Sequence, residues 1–389
     1  MREGWEYKKL GEVGMIVTGT TPSTKDETNY NPHEYNFVKP SDLQSNGITK
    51  IDKTEFCVSS KGLMLSRSLP PGSVLVSCIG SIGKVGILAK KACCNQQINA
   101  IIPDEHIDSR CLAYAIVSIK YKLEAIANAP VVPIINKTNF SKLVVPIPSR
   151  IEQLAIVAEL DQINDLIRLK KEQLKEYDNL AQSIFYDMFG DPVENEKGWE
   201  VKKLKEVSLS ITDGDHMPPP KSDSGIPFLT ISDIDKETRI LNFGDTFYVP
   251  QEYYDKLKDD RKAMMGDLLY TVTGSYGISV EVKTEQPFCF QRHIALIKVN
   301  KENILTKFLC YWFLCKSVKF MADRVATGIA QKTVGLNSLR NFDVILPPLP
   351  LQQEFSSRIE QIEKLKAEVQ KTITDLETLL ASRMQYWFE

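Results

Sequence analysis

The sequence predicts an α/β protein that contains two duplicated α/β domains and two long antiparallel coiled-coil helices. Three observations support this: an internal repeat with an offset close to 195 residues, short apolar segments between turn residues, and two long stretches with helical periodicity. The predicted order is a first domain over residues 1–150, a central helix over 151–190, a second domain over 191–350 and a C-terminal helix over 351–389. We call the two domains block one and block two.

The internal repeat is strongest at the start of each block. Residues 4–13 and 198–207 share eight identities in ten positions, at an offset of 194. Further matches follow in the same order, namely 37–43 with 228–234, 80–83 with 274–277, Gln96 and Gln97 with Gln291 and Arg292, and the proline-flanked exits 144–148 and 345–350. One offset of this size indicates duplicated domains and excludes a solenoid, whose repeats are about 20–50 residues long.

Strands and helices are predicted inside each block. Residues 73–77 and 267–271 are short apolar runs that follow turn residues, which is typical of buried strands. Residues 112–126 and 306–322 have the composition and length of helices. We therefore expect each block to hold a mixed or antiparallel sheet with helices against it.

Each proline exit is followed by a heptad pattern. In both stretches the inward positions step by alternating threes and fours, which predicts an apolar seam for a partner helix. The first seam comprises Ile156, Leu160, Ile163, Ile167, Lys170, Leu174, Tyr177, Ala181, Ile184 and Met188, and the second Phe355, Ile359, Ile362, Lys366, Val369, Ile373, Leu376, Leu380, Arg383 and Trp387. Because the first helix leads into block two and the second leaves it, they can pack along each other only if antiparallel. The alternative is two unrelated amphipathic surface helices.

Composition is that of a globular protein, with 43% hydrophobic and 25% charged residues. No apolar run approaches the ~18 residues that a membrane span requires, and the N-terminus lacks the apolar stretch of a signal peptide. We expect a cytoplasmic protein without a membrane partner. The eight cysteines include no Cys-x-x-Cys pair and only four histidines accompany them, which predicts reduced thiols and no metal site.

The net charge of −2 conceals an uneven distribution. Residues 1–150 carry 18 Lys and Arg against 13 Asp and Glu, a net +5, whereas residues 191–350 carry 21 against 22, a net −1. The two helical stretches carry most of the acidic excess, with net charges of −4 and −2. The two blocks are therefore the candidates for a ligand surface, and block one has the more favourable charge for phosphate groups.

Catalytic motifs are weak or absent. Asp267, Glu281 and Lys283 have the chemistry of a metal-dependent nuclease, since carboxylates and a lysine can position a metal-bound water. However, Ser73 stands where Asp267 would match in the first repeat. The Asn-Pro-Pro-aromatic loop of amino-methyltransferases is also missing, so we expect no catalysis by the chain itself.

The combination of repeated features resembles the DNA-specificity subunit of type I restriction-modification systems. The features that carry it are a Gly-Trp-x-x-x-x-Leu opening, a Pro-x-Pro exit, and the paired segments 18–23 and 213–218, 80–84 and 274–277, Glu152-Gln153 and Gln352-Gln353. The resemblance implies two target-recognition domains, each reading one half of an asymmetric bipartite DNA site, with the coiled coil setting the gap. It also implies that separate modification subunits methylate adenine with S-adenosylmethionine, that separate restriction subunits use ATP and Mg²⁺, and that this chain binds no cofactor.

Exposed polar groups near the glycine segments and the block openings are the candidate DNA contacts. They are Thr20, Ser23, Ser81, Lys84, Gln96 and Gln97 in block one, and His216, Lys221, Ser275, Tyr276, Gln291, Arg292 and His293 in block two. Glutamine and arginine side chains suit the edges of adenine and guanine, respectively. Two alternatives stay open for these residues: Gln96 and Gln291 order the glycine turn, and His216 and Lys221 belong to a plain surface loop. For the whole chain the rivals are a coiled-coil scaffold that binds other proteins, or the nuclease.

Overall fold

The computed structural model describes residues 4–127, 132–214, 219–328 and 331–388. The chain divides into two compact units, unit one with Met1–Lys171 and Lys371–Glu389, and unit two with Glu172–Gln370. Two long helices, each of 40 residues, contribute to both units.

Block one is built on a mixed sheet. Its strands are β1 (Glu6–Lys9), β2 (Gly14–Thr18), β3 (Tyr35–Val38), β4 (Ile48–Ile51), β5 (Cys57–Val58), β6 (Val74–Ser77), β7 (Val85–Leu88), β8 (Ala92–Cys94), β9 (Ile98–Pro103) and β10 (Val144–Ile147), and its helices are α1 (Ser60–Leu65), α2 (Ser109–Ser118), α3 (Lys120–Ile126) and α4 (Lys137–Ser141). The largest sheet has the order β2-β9-β6-β7-β4, in which only β4 and β7 are parallel. A second sheet has the order β5-β3-β8, and β1 pairs with β10.

The helix α5 (Arg150–Phe189) follows, and block two then repeats the plan. Its strands are β11 (Glu200–Lys203), β12 (Ser208–Asp213), β13 (Ile226–Leu229), β14 (Phe247–Val249), β15 (Leu268–Thr271), β16 (Ser279–Glu281), β17 (Cys289–Phe290), β18 (Ile294–Val299) and β19 (Asp343–Leu346), and its helices are α6 (Gln251–Asp255), α7 (Thr306–Leu314), α8 (Lys316–Val325) and α9 (Leu336–Arg340). The sheets have the orders β12-β18-β15-β16, β14-β13-β17 and β11-β19. Within the described part of block two, β4 has no counterpart, and a single bridge joins Ile234 to Leu241.

The predicted strands match β6 and β15, but each predicted helix is divided in two. The predicted 112–126 is interrupted at Ile119 between α2 and α3. The predicted 306–322 is interrupted at Cys315, whose backbone is extended with φ −65° and ψ 137°. Cys315 is fully buried at this break, so the apolar pattern continues across it and conceals the break from the sequence.

The long helices α5 and α10 (Leu349–Phe388) run antiparallel in each unit, as predicted. In unit one, Glu159 bonds to Arg383 and Lys171 to Glu377. In unit two, the Nζ of Lys366 lies 2.6 Å from the Oδ1 of Asp178. Residues further along α5 thus pair with residues earlier in α10. Lys366 and Arg383, the polar members of the second seam, carry two of these three ion pairs.

The seam of α5 differs from the prediction near its end. Phe185 and Phe189 are fully buried, whereas Ile184 and Met188 are only partly buried. The inward row therefore moves by one residue after Ala181. Packing explains the change, because the rings of Phe185 and Phe189 lie within 6 Å of the rings of Phe308 and Phe355.

A buried glutamine fixes the start of each long helix to its block. The side chain of Gln153 accepts a bond from the Asp108 amide at 2.7 Å and donates to the Pro148 carbonyl at 3.0 Å. Gln352 makes the equivalent bonds, to the Leu305 amide at 2.9 Å and the Pro347 carbonyl at 2.8 Å. The duplication therefore extends to single hydrogen bonds.

The thiol groups of the chain are mostly buried. All eight cysteines are free, and all except Cys57 are buried. Burial raises the pKa of the Cys78 thiol to about 11, so this group is protonated at neutral pH. Within the described ranges, no helix combines the length and the hydropathy that crossing a bilayer requires.

Candidate nucleic-acid interface

Three loops come together in each block. The opening segment (residues 18–23, and 212–214 with 219–221) leads away from β2 or β12. The glycine loop (77–84 and 271–278) joins β6 to β7 or β15 to β16, and the central turn (94–98 and 290–294) lies between β8 and β9 or β17 and β18.

The opening segment of block one is bonded to the central turn. The amide of Gly19 donates to the Ile98 carbonyl and the amide of Thr20 to the Cys94 carbonyl, both at 3.0 Å. The Thr21 hydroxyl also donates to the side-chain oxygen of Gln96. In this way exposed polar side chains of the two loops are held side by side.

A glycine makes this close approach possible in both blocks. A Cβ at Gly19 would lie 2.0 Å from the carbonyl oxygen of Asn95, and a Cβ at Gly214 would lie 1.9 Å from that of Phe290. These are main-chain atoms of the central turn and cannot move aside as a flexible side chain can. Position 19 and position 214 therefore require glycine for packing.

The glycine loop has the same internal bonds in both blocks. The Ser77 hydroxyl donates to the Ser81 carbonyl and accepts from the Lys84 amide at 2.9 Å. The Thr271 hydroxyl donates to the Ser275 carbonyl at 2.8 Å and accepts from the Ile278 amide at 3.0 Å. A buried hydroxyl thus closes each loop and holds the exposed tip in one conformation.

The central turns show that one predicted equivalence is wrong by one residue. The Asn95 amide donates to the Val38 carbonyl, and the Gln291 amide donates to the Leu229 carbonyl. Two further pairs of main-chain bonds agree. The Ile98 amide donates to the Asn95 carbonyl as the Ile294 amide does to the Gln291 carbonyl, and the Cys78 amide donates to the Gln97 carbonyl as the Val272 amide does to the His293 carbonyl. Asn95 therefore corresponds to Gln291, Gln96 to Arg292 and Gln97 to His293. Sequence alignment placed Gln96 opposite Gln291 because matching glutamine with glutamine gives an identity, whereas the backbone bonds set the true register.

The candidates in block one lie on these three loops. Ser23, Ser81 and Gln96 are exposed, whereas Thr20, Lys84 and Gln97 are half-buried. The Lys84 ammonium donates to the Pro40 carbonyl at 3.3 Å, and the Gln97 side chain accepts from Asn95 at 2.8 Å.

Five candidates of block two lie on two of these loops. The glycine loop carries Ser275 and Tyr276, and the central turn carries Gln291, Arg292 and His293. Arg292 is exposed, and the other four are half-buried. The Tyr276 hydroxyl donates to Asp323 at 2.5 Å, and this bond raises the pKa of Tyr276. Burial, and then the charge of Arg292, lower the pKa of His293 below its usual 6.5, so its imidazole is neutral at pH 7.

The two remaining candidates belong to the opening segment of block two. Lys221 is exposed, and its ammonium lies 5.1 Å from the ring centroid of Phe247 in β14, on the smaller sheet. His216 lies outside the described residues.

Residues that the sequence interpretation missed lie at the ends of β3 and β13. Asp42 accepts a bond from the Lys39 amide at 2.7 Å, and Asp233 accepts one from the Thr230 amide at 2.6 Å. The turns that follow β3 and β13 lie next to the central turns, because the Val38 and Leu229 carbonyls accept bonds from them. Lys39 in block one and Thr230 in block two are therefore close to the central turn. The only available signal was the Ser-Asp pair at residues 41–42 and 232–233, which the repeat already contained.

Each residue of the nuclease alternative is occupied in an ion pair. Asp267 bonds to Lys298 at 2.6 Å, whereas Glu281 and Lys283 each pair with another residue, Lys307 at 3.0 Å and Glu363 at 2.7 Å. Among the residues that the structure describes, no group of three His, Cys, Asp or Glu side chains could hold a metal ion. The Asp267 pair joins the turn before β15 to β18, and the other two pairs belong to a network that joins β16 and the residues after it to α7 and α10.

Comparison with known sequences gives one family for both blocks. The family model described as the type I restriction modification DNA specificity domain matches residues 2–177 and again residues 196–378. The MjaIX specificity subunit of Methanocaldococcus jannaschii is 24% identical over 96% of this chain and 90% of its own length. The StySPI specificity subunit of Salmonella potsdam is 21% identical over 98% of this chain and 87% of its own length.

Solved structures show the same fold. The S subunit of a type I restriction-modification system from M. genitalium aligns with a TM-score of 0.53 at 13% identity, over 99% of this chain and 96% of that chain. A second chain, from work on assembly and conformational transition of the type I R-M system, aligns with a TM-score of 0.58 at 18% identity, over 99% and 97% of the two chains. The chain therefore belongs to the family of type I restriction-modification DNA specificity domains.

Proposed function

We propose that this chain is the DNA-specificity subunit of a type I restriction-modification complex. The observation that carries the proposal is that the family match occurs twice, once on each block, and that both blocks have the same three-loop arrangement. No contact among the described residues favours the nuclease, and the scaffold alternative does not account for the repeated family match.

Each block reads one half of a bipartite DNA site. The loops of the two blocks share their backbone bonds but differ in side chains, as at Gln96 and Arg292. Since base edges are distinguished by side-chain donors and acceptors, the two half-sites differ in sequence. The recognised site is therefore asymmetric.

The paired helices set the number of unread base pairs between the half-sites. A helix of 40 residues is about 60 Å long at 1.5 Å per residue. Ion pairs and a buried seam make such a pair stiff enough to act as a spacer.

Catalysis belongs to partner subunits. Modification subunits use S-adenosylmethionine to methylate adenine, and restriction subunits use ATP and Mg²⁺; this chain supplies recognition and no catalytic group. Block two has a net charge of −1, which is weak for a protein that binds phosphates alone. The partner subunits therefore share the phosphate contacts.

The experiment is reconstitution of the full chain with type I modification subunits from the same organism. The complex and the isolated chain are each assayed for binding to genomic DNA fragments over a range of salt concentrations. Both are also assayed for methyl transfer from labelled S-adenosylmethionine to DNA. We expect salt-dependent binding to one split sequence and adenine methylation by the complex, with no methyl transfer by the isolated chain. Binding without sequence preference would support the scaffold alternative, and metal-dependent DNA cleavage by the isolated chain would support the nuclease.

A further inference from the structure

The central turns differ between the blocks at one exposed position, where Gln96 in block one corresponds to Arg292 in block two. Bonds on both sides of this position fix the correspondence, since the residues before and after it make the same main-chain contacts in each block. The two side chains therefore start from equivalent backbone positions.

The tip of the glycine loop offers no comparable exposed difference between the blocks. Ser81 and Ser275 are the same residue at equivalent places on the glycine loop. The next position holds Ile82, which is buried, or Tyr276, whose hydroxyl is already bonded to Asp323. Within the central turns, Gln96 and Arg292 are the differing pair that is exposed in both blocks, whereas Gln97 and His293 are half-buried.

Both side chains have donors available for a ligand. Gln96 uses one lone pair of its side-chain oxygen to accept a bond from the Thr21 hydroxyl, which orients the amide and leaves the second lone pair and the NH2 group for a base. The Arg292 guanidinium makes no hydrogen bond or ion pair with any residue that the structure describes. An exposed arginine held on a rigid turn keeps its whole set of donors for a planar acceptor.

Resting on the proposed function, we propose that this position determines base specificity: Arg292 reads a guanine in the half-site of block two, and Gln96 reads an adenine at the equivalent place in the half-site of block one. Arginine donates two bonds to the O6 and N7 of guanine, and glutamine bonds to the N6 and N7 of adenine. One exchange of side chain should therefore change one base preference.

The test uses the reconstituted complex and a library of DNA duplexes in which both half-sites are randomised. Arg292→Gln should lower the preference for guanine at one position of one half-site by about tenfold or more, with adenine favoured there. Gln96→Arg should produce the reverse change in the other half-site. Arg324→Gln, at an exposed arginine on α8, is the matched control and should leave both half-sites unchanged.

The unchanged half-site in each variant serves as the internal control for folding. If Arg292→Gln selects the same bases as the unsubstituted chain, the assignment is wrong. It is also wrong if binding weakens equally for all sequences with a smaller salt dependence, because Arg292 would then be a phosphate contact. If the unsubstituted complex selects no split sequence, the proposed function itself fails.

Discussion

Glu159 accepts hydrogen bonds from the Nε and the Nη2 of Arg383, although 224 residues separate the two in sequence. The indole Nε1 of Trp387 donates to the same carboxylate at 2.9 Å. Within unit one, this group fixes the end of α10 against α5. The C-terminal helix is thereby held next to block one, where the ring of Phe388 lies 6.4 Å from that of Trp5.

Replacing Arg383 by methionine should lower the thermal stability of unit one. The substitution keeps the aliphatic stem but removes both donors to Glu159, which retains only the indole. Arg358→Met is the matched control, because Arg358 is an exposed residue of the same helix that pairs locally with Glu354. Thermal unfolding of the full chain should show a lower first transition for Arg383→Met than for Arg358→Met, and equal transitions would contradict the account.

The stability difference should also depend on pH. The hydrogen bond from Arg383 lowers the pKa of Glu159 below its usual 4.5, against the opposing effect of burial. A carboxyl group whose pKa is lower in the folded state stabilises above its unfolded pKa, and this contribution is lost as the pH falls through the folded pKa. The gap between the unsubstituted chain and Arg383→Met should therefore shrink below pH 4.5, as measured by unfolding at a series of pH values.

Lys307→Met should destabilise unit two by about 2 kcal/mol. Burial alone would lower the pKa of Lys307, but the hydrogen bonds and charges of Glu363 and Glu281 raise it, so the buried side chain is charged. Removing the Lys307 ammonium leaves the carboxylates of Glu281 and Glu363 without the cation that lies between them. Lys283→Met removes a far more exposed partner of the same Glu363 and should cost less than 1 kcal/mol, roughly the value of a surface ion pair. Denaturant unfolding compares the two, and equal losses would contradict the account.

Gly214→Ala should disturb the reading of one half-site. The added Cβ would lie 1.9 Å from the Phe290 carbonyl oxygen and would displace the central turn that carries Arg292. We expect base preference in the half-site of block two to fall by about tenfold or more, as for loss of one bidentate contact. Gly335→Ala is the control, since its Cβ would meet no atom within 4 Å. Unchanged selection by Gly214→Ala would show that the central turn does not position the DNA contacts.

Thr271→Val should loosen the glycine loop of block two. The substitution keeps the shape but leaves the Ser275 carbonyl and the Ile278 amide without their partner, a cost of about 1–3 kcal/mol. Hydrogen exchange at the Ile278 amide should accelerate together with the loss of stability. Thr284→Val, where the hydroxyl accepts a single bond from the Gln286 amide, should have a smaller effect. A protected Ile278 amide in Thr271→Val would show that this hydroxyl does not close the loop.

The features that recur locally in the chain could be predicted from the sequence. The repeat identified two related blocks, and heptad spacing identified both long helices. Their antiparallel arrangement followed from the order of the elements along the chain. The breaks at Ile119 and Cys315 could not be predicted, because buried residues on both sides continue the helical pattern. The shift of the seam to Phe185 and Phe189 depends on rings from α7 and α10, which are remote in sequence.

The positions of the candidate loops in the chain could be predicted, whereas the register between the two central turns could not. The glycine loops and block openings were found from repeated glycines, whose packing role is now clear at Gly19 and Gly214. The equivalence of Gln96 with Arg292 was missed because it depends on main-chain bonds to β3 and β13 rather than on side-chain identity. Ion pairs such as Lys307 with Glu363 carry no sequence signal, since similar charges are frequent throughout the chain.

The central claim is that each block reads its own half of a split DNA site. The most direct measurement exchanges residues 1–150 for the corresponding block of a relative whose own half-site is known, and then maps methylated adenines across the host genome. We predict that one half of the methylated motif changes to that of the relative, while the other half and the gap stay the same. A motif in which both halves change together, or neither does, would contradict the claim.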